Sequence, residues 1–197
     1  MDTPDGVSGL ARTARVDVLV TGYAADRVAG TVSLVRDGDR VIVVDPGMVA
    51  DRSAILEPLR ALGVAPEDVT DVVISHHHPD HTMNIALFGE VPLHDVQAVY
   101  TRDEWLSRDA DGVHLTPSVR LLATPGHTPQ DLTVLVGTAE DVVALTHLWW
   151  TAEGPAEDPF APDRELLRTQ RERVLALATR VVPGHGAPFT PGPDTPR

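Results

Sequence analysis

Ser75-His76-His77-His78-Pro79-Asp80-His81 follows directly on residues 71–75 (DVVIS), a short apolar run that reads as a buried strand. Alternate residues of an extended segment point the same way, so His76 and His78 can share one metal ion. His77 points to the opposite side, toward packing or solvent. A helix is predicted from about Pro79 through Leu87, ending at Gly89. That turn swings Asp80 and His81 toward a neighbouring position. Imidazole nitrogen and carboxylate oxygen are donors that zinc accepts, and iron or manganese also take them.

Outward from this tract the same device recurs. Residues 119–124 read as a strand ending in Pro125-Gly126-His127, and residues 180–182 as a strand ending in Pro183-Gly184-His185. The echo predicts two similar halves facing each other, with histidines delivered from strand ends at one edge. Upstream, residues 16–22, 31–36 and 40–45 are β-branched-rich runs and predict an antiparallel meander, turning tightly at Asp37-Gly38-Asp39. Residues 52–62 have helical periodicity up to Gly63, with Pro58 inside. Thr101-Arg102-Asp103-Glu104 has the form of a capping box and predicts a short helix through Trp105. Residues 132–136 and 141–146 read as strands. A Pro-rich loop at 152–162 precedes a helix at 163–179 whose inner stripe is Leu166, Leu167, Val174 and Leu177. His94 and His114 fall outside any ligand pattern and are expected at the surface or in hydrogen bonds.

The length, 197 residues, suits a single domain, with a core at about 16–189 and disordered tails expected outside it. Without cysteine, disulfides and thiolate metal sites are excluded, which agrees with a reducing cytoplasm. The first residues lack the basic-then-apolar pattern of a secretory signal, and no apolar run reaches membrane-spanning length. A net charge of −13 disfavours a polyanionic partner such as nucleic acid and points to a small-molecule substrate. Oligomeric state is not specified.

The pattern His76-x-His78-x-Asp80-His81, preceded by Val44-Asp45-Pro46-Gly47 and followed by the two Pro-Gly-His motifs in order, resembles the metallo-β-lactamase superfamily over about residues 16–189. The resemblance implies an α+β fold, the αββα sandwich of two mixed sheets flanked by helices, with metals at one sheet edge. It implies His76, His78 and His127 at a first metal, and Asp80, His81 and His185 at a second, with zinc (one or two ions) as cofactor. Asp80 would also be catalytic, orienting a metal-held hydroxide whose parent water has its pKa lowered to about 7. Asp45 would order the ligand loop. One departure stands out. The family supplies a bridging aspartate after the strand preceding the final helix, and here that place falls to His147. An imidazole cannot bridge as a carboxylate does, so His147 is expected in the site while metal count and identity stay open. Asp141 begins its strand at the wrong edge, and Asp158 lies deep in a loop with a long return path.

Trp149 and Trp150 follow His147 at the expected mouth of the site, as a substrate wall or a cap on the core. Tyr23 and Arg27 lie where the family often carries a flap; Arg27 could meet a substrate carboxylate or phosphate, or simply face solvent. The expected reaction is hydrolysis of an ester-like bond, with a small ester, thioester or lactone favoured by charge. Residues 22–24, 63–70, 87–88 and 181–189 are similar to a vertebrate branch of the superfamily regarded as RNA-cleaving, which makes a phosphodiesterase the runner-up. A mononuclear iron oxidoreductase and a metal-binding protein without catalysis complete the alternatives.

Overall fold

Period-two alternation of β-branched residues builds two sheets that share one core. The computed structural model describes residues 9–197. The first sheet takes its strands from β1 (Arg15–Val20), β4 (Val32–Asp37), β5 (Arg40–Val44), β6 (Asp71–Val73), β7 (Leu93–His94), β8 (Ala98–Thr101) and β9 (Glu104–Ser107), in that spatial order. A separate hairpin, β2 (Tyr23–Ala24) and β3 (Val28–Ala29), rises between β1 and β4. The second sheet holds β10 (His114–Thr116), β11 (Val119–Ala123), β12 (Leu132–Gly137), β13 (Val142–Leu145) and β14 (Arg180–Val182).

Ile42 and Val44 on β5 face Leu132, Val134 and Val136 on β12 across the central core, with Val73, Leu121 and Leu145. The alternate residue Val43 points the other way, onto Ile55 and Leu59 of α1 (Ser53–Ala61). On the second sheet Leu135 turns outward onto Leu167 and Val174 of α3 (Arg164–Leu175). The layers are therefore helix, sheet, sheet, helix, which is the expected α+β sandwich. Both sheets mix parallel and antiparallel pairing.

Strand direction gathers the site. β5 and β6 run parallel, and so do β13 and β14, while β11 is antiparallel to β12 and β12 to β13. The carboxyl ends of β5, β6, β11, β13 and β14 thus emerge at one edge, followed by Asp45, Ser75-His76, His127, His147 and His185.

Several sequence expectations are corrected. Thr101-Arg102-Asp103-Glu104 caps no helix: it is the turn between β8 and β9, with Thr101 paired to Glu104 and Arg102 at φ 57°. The helix expected from Pro79 to Leu87 is only one α-turn, α2 (Pro79–Thr82), followed by a 3₁₀ turn at Ile85–Phe88. Asn84 interrupts it, because its backbone N–H and side chain bond back to Pro46 and Gly47. α3 stops at Leu175, and its buried stripe is Leu167, Arg171 and Val174, with Leu166 exposed. Ala11 and Ala14 donate to Pro117 and Gly137 carbonyls, and the Pro196 carbonyl accepts from the Trp149 indole at 2.8 Å. The first eight residues lie outside the described part.

Candidate metal centre

Asp45 is the hub from which the site is built. It adopts φ 54°, a left-handed conformation costly for a non-glycine residue. Its carboxylate holds that shape by accepting from Ser75 N at 2.6 Å, Ser75 Oγ at 2.7 Å and His81 Nδ1 at 2.9 Å. The turn after β6 and the ring of His81 are thereby fixed together. Two residues on, Gly47 packs against the backbone of Asp80: a Cβ at Gly47 would fall 1.6 Å from the Asp80 carbonyl oxygen. Gly30 and Met48 donate their N–H groups to that same oxygen at 3.0 and 3.2 Å.

The hydrogen bonds on the far side of each ring fix the tautomers. Ser75 Oγ gives its only proton to Asp45, so in its 3.0 Å contact with His76 Nδ1 it accepts, and the His76 proton sits on Nδ1. His127 Nδ1 donates to the Asp158 carboxylate at 2.7 Å, and His185 Nδ1 donates to the Ala29 carbonyl at 3.0 Å. These three rings therefore turn Nε2 lone pairs inward. His76 Nε2 and His127 Nε2 lie 3.0 and 3.2 Å from His78 Nδ1. One proton on His78 satisfies at most one of them; a cation in their midst satisfies all three nitrogens. Asp80 Oδ2 stands 3.4 Å from His81 Nε2 and 3.5 Å from His185 Nε2.

His147 points into this cluster. Its Nε2 lies 3.0 Å from His185 Nε2, and its Nδ1 is buried without a hydrogen-bond partner among the described residues. Donor atoms lie within 4.8 Å of one another in three groups: His76, His78 and His127; Asp80, His81 and His185; and His76, His81 and His147. The group that holds His147 thus joins the other two, sharing His76 with the first and His81 with the second. Gly184 makes room for it, since a Cβ there would meet His147 Cδ2 at 2.3 Å.

The electrostatics suit a cation. Burial, then the neighbouring imidazoles, push His76 and His147 well below the usual imidazole pKa, so both are neutral donors at pH 7. Burial lowers His78 and His185 too. For His81 burial works downward, but the carboxylates of Asp45 and Asp80 prevail and raise it to about 9. Burial would raise Asp80; the hydrogen bond and charge of His81, with the charge of His185, instead bring it down to about 2. A cation beside Asp80 would replace the proton on His81.

Asp158 makes the long return path, standing behind the His127 ring and outside the three donor groups. The loop returns because Arg171, fully buried on α3, donates to the carbonyls of Leu148, Pro155 and Ala156 at 2.8, 2.8 and 3.2 Å. Phe160 arrives with it, 5.6 Å from the His127 ring and 6.3 Å from the His78 ring. Sequence reasoning missed Phe160 and the part of Ser75 in setting the His76 tautomer; only a known loop path would have placed Phe160. The adjacent tryptophans separate: Trp149 is buried in the core, while Trp150 lies 5.9 Å from the His127 ring and 5.7 Å from that of His185. Tyr23 and Arg27 contact each other at the exposed hairpin, 3.5 Å apart, and among the described residues no hydrogen bond or ring contact joins them to the histidines. His77 bonds Asp95 on the far side of the tract, as its alternation requires. His94 bonds Asp71, and His114 is exposed on β10.

A family model, the Metallo-beta-lactamase superfamily, matches residues 25–187. Metallo-beta-lactamase domain-containing protein 1 of Xenopus laevis is 31% identical over 188 residues, covering 88% of this chain and 80% of that protein. An N-acyl homoserine lactonase of Bacillus cereus is 26% identical over 153 residues, covering 68% of this chain and 61% of the lactonase. In fold, a crystal structure of a Thermotoga maritima protein superposes with a TM-score of 0.74 at 22% identity, covering 91% of this chain and 100% of that one. No helix among the described residues is long and apolar enough to cross a membrane. Because the family match runs through every strand end that delivers these imidazoles, the chain belongs to the metallo-β-lactamase superfamily and is a metal-dependent hydrolase.

Proposed function

We propose that the protein hydrolyses a small ester, thioester or lactone, using zinc held by His76, His78 and His127 at one position and by Asp80, His81 and His185 at the other, with His147 between them. The observation that carries this reading is the convergence of His76 Nε2 and His127 Nε2 on His78 Nδ1, with their ring protons committed to Ser75 and Asp158. When bound, the ions supply a nucleophilic water of lowered pKa and polarise the carbonyl under attack. Asp80, anionic at any neutral pH, accepts a hydrogen bond from the attacking water and orients it. Asp45 and Asp158 keep His81 and His127 in the ligating tautomer.

Likeness to a lactonase and the net charge of −13 support a small substrate, and a sequence without cysteine agrees with a reducing cytoplasm. Tyr23 and Arg27 are left as outer contacts for an acidic substrate group, on the hairpin whose base meets His185 through Ala29. Cleavage of RNA is the second reading, supported by the sequence resemblance at residues 22–24, 63–70, 87–88 and 181–189. The test is a panel of lactones, thioesters and single-stranded RNA with zinc-loaded enzyme and its His78→Ala variant at rising salt. A small substrate gives rates nearly flat in salt. RNA binding weakens with a log–log slope of about −0.7 per phosphate contacted. Efficient RNA cleavage that is lost in His78→Ala, with no turnover of the small esters, refutes the first reading.

A further inference from the structure

Trp150 and Phe160 stack with centroids 5.9 Å apart and ring planes 17° from parallel. Phe160 is 63% exposed, and Trp150 is half-buried. A lone exposed aromatic needs no explanation, but this one extends a tryptophan plane beside the imidazole cluster. Both residues are pinned by one buried carboxylate: Asp158 Oδ2 accepts from Trp150 Nε1 at 2.9 Å, and Asp158 Oδ1 accepts from Phe160 N at 2.9 Å. Asp158 Oδ2 also holds His127. The backbone continues the lock, since Trp150 donates to the Gly154 carbonyl and His185 donates to that of Trp150. The aromatic pair is thus held in fixed register with His127 and His185. Such preorganisation costs little when a ligand arrives.

We propose that the Trp150–Phe160 pair is the specificity wall of the site, selecting substrates whose acyl group is apolar, an aryl group or an alkyl chain of several carbons. This rests on the ester, thioester or lactone reading above. A carbonyl brought to the donor cluster of His78 and His127 places its substituent against these rings, which otherwise leave apolar surface in water. Trp149 takes no part, being enclosed in the core with its N–H on the Pro196 carbonyl.

The test compares phenylacetate with acetate, the acid halves of an aryl and a minimal ester product, by isothermal titration of zinc-loaded wild type and Phe160→Ala. Phenylacetate is expected to bind wild type about tenfold more tightly than acetate, the preference falling to about twofold in the variant. Equal affinities, no binding of either acid, or a preference unchanged in Phe160→Ala overturns the proposal. Matching melting temperatures of the two proteins confirm that the variant folds. Turnover of phenylacetyl and acetyl thioesters separates the two readings. Hydrolysis of both without preference refutes the wall and leaves the ester reading standing. Preferential phenylacetate binding with no hydrolysis refutes the ester reading and leaves the wall. Where hydrolysis occurs, Phe160→Ala raises KM for the phenylacetyl substrate far more than it lowers kcat.

Discussion

Asp158 Oδ2 accepts the Nδ1 proton of His127 at 2.7 Å from 31 positions farther along the chain, and the same oxygen accepts the Trp150 indole proton. The carboxylate fixes the ring that presents Nε2 to His78. Replacing Asp158 with alanine should weaken metal binding by about 10–100-fold, as loss of a partner behind a ligand imidazole generally does. Competition titration against a zinc chelator measures it; unchanged affinity would remove Asp158 from the account.

Removing a ligand should leave the scaffold intact. His78 lies outside the apolar clusters that fill the sandwich, so His78→Ala should lose metal while metal-free wild type and variant melt within a few degrees of each other. Metal analysis and calorimetry of both proteins check this. Full metal in His78→Ala would contradict the ligand assignment.

Arg171 organises the loop that brings Asp158 home. Burial lowers its pKa to about 10, which leaves it charged, and three backbone carbonyls surround it. Arg171→Met should destabilise the fold by about 3 kcal/mol, because those acceptors lose a charged donor in a dry place. It should also weaken metal binding through Asp158. Urea unfolding tests the first effect and chelator titration the second; a stability within experimental error of wild type would contradict the role given to Arg171.

The opposite end of the sheet carries a pH-dependent contribution. Burial would raise the pKa of Asp71, but hydrogen bonds from His94, Thr70 and Arg40 outweigh it and lower the value. A depressed carboxylate stabilises the fold above its unfolded pKa, near 3.8, and loses that contribution as pH falls through the folded value. Asp71→Asn should therefore cost on the order of 3 kcal/mol at pH 7 and much less at an acid pH below the folded value. Equal losses at both pH values, read from urea titrations, would refute it.

How much of this the sequence carried depends on the distance over which each signal acts. Alternation in residues 40–44 and 132–136 and the strand-end histidines are local features; they carried both sheets and singled out the seven residues whose donor atoms the structure groups, His147 among them. The failures share a cause in tertiary context. A capping box and a two-residue hairpin turn look alike at Thr101–Glu104 until the register with β8 is known. The helix after Pro79 fails because Asn84 spends its backbone and side chain on the Asp45 loop. Asp158 and Phe160 were illegible because their path depends on Arg171, a charged residue that no apolar stripe would include.

His147 is proposed to occupy the place between the two donor sets where a carboxylate would join both ions. Its imidazole brings no charge, leaving Asp80 as the carboxylate among the grouped donors. Two divalent ions then share a site of high positive charge, and one should be held more weakly than the other. The direct measurement is zinc stoichiometry and affinity, by mass spectrometric metal analysis and competitive chelator titration, of wild type and His147→Asp prepared without affinity-tag metal. Two unequal binding steps are expected in wild type, and a strengthened weaker step in His147→Asp. Two equal steps unchanged by the substitution, or protein that takes up no metal, would contradict that proposal.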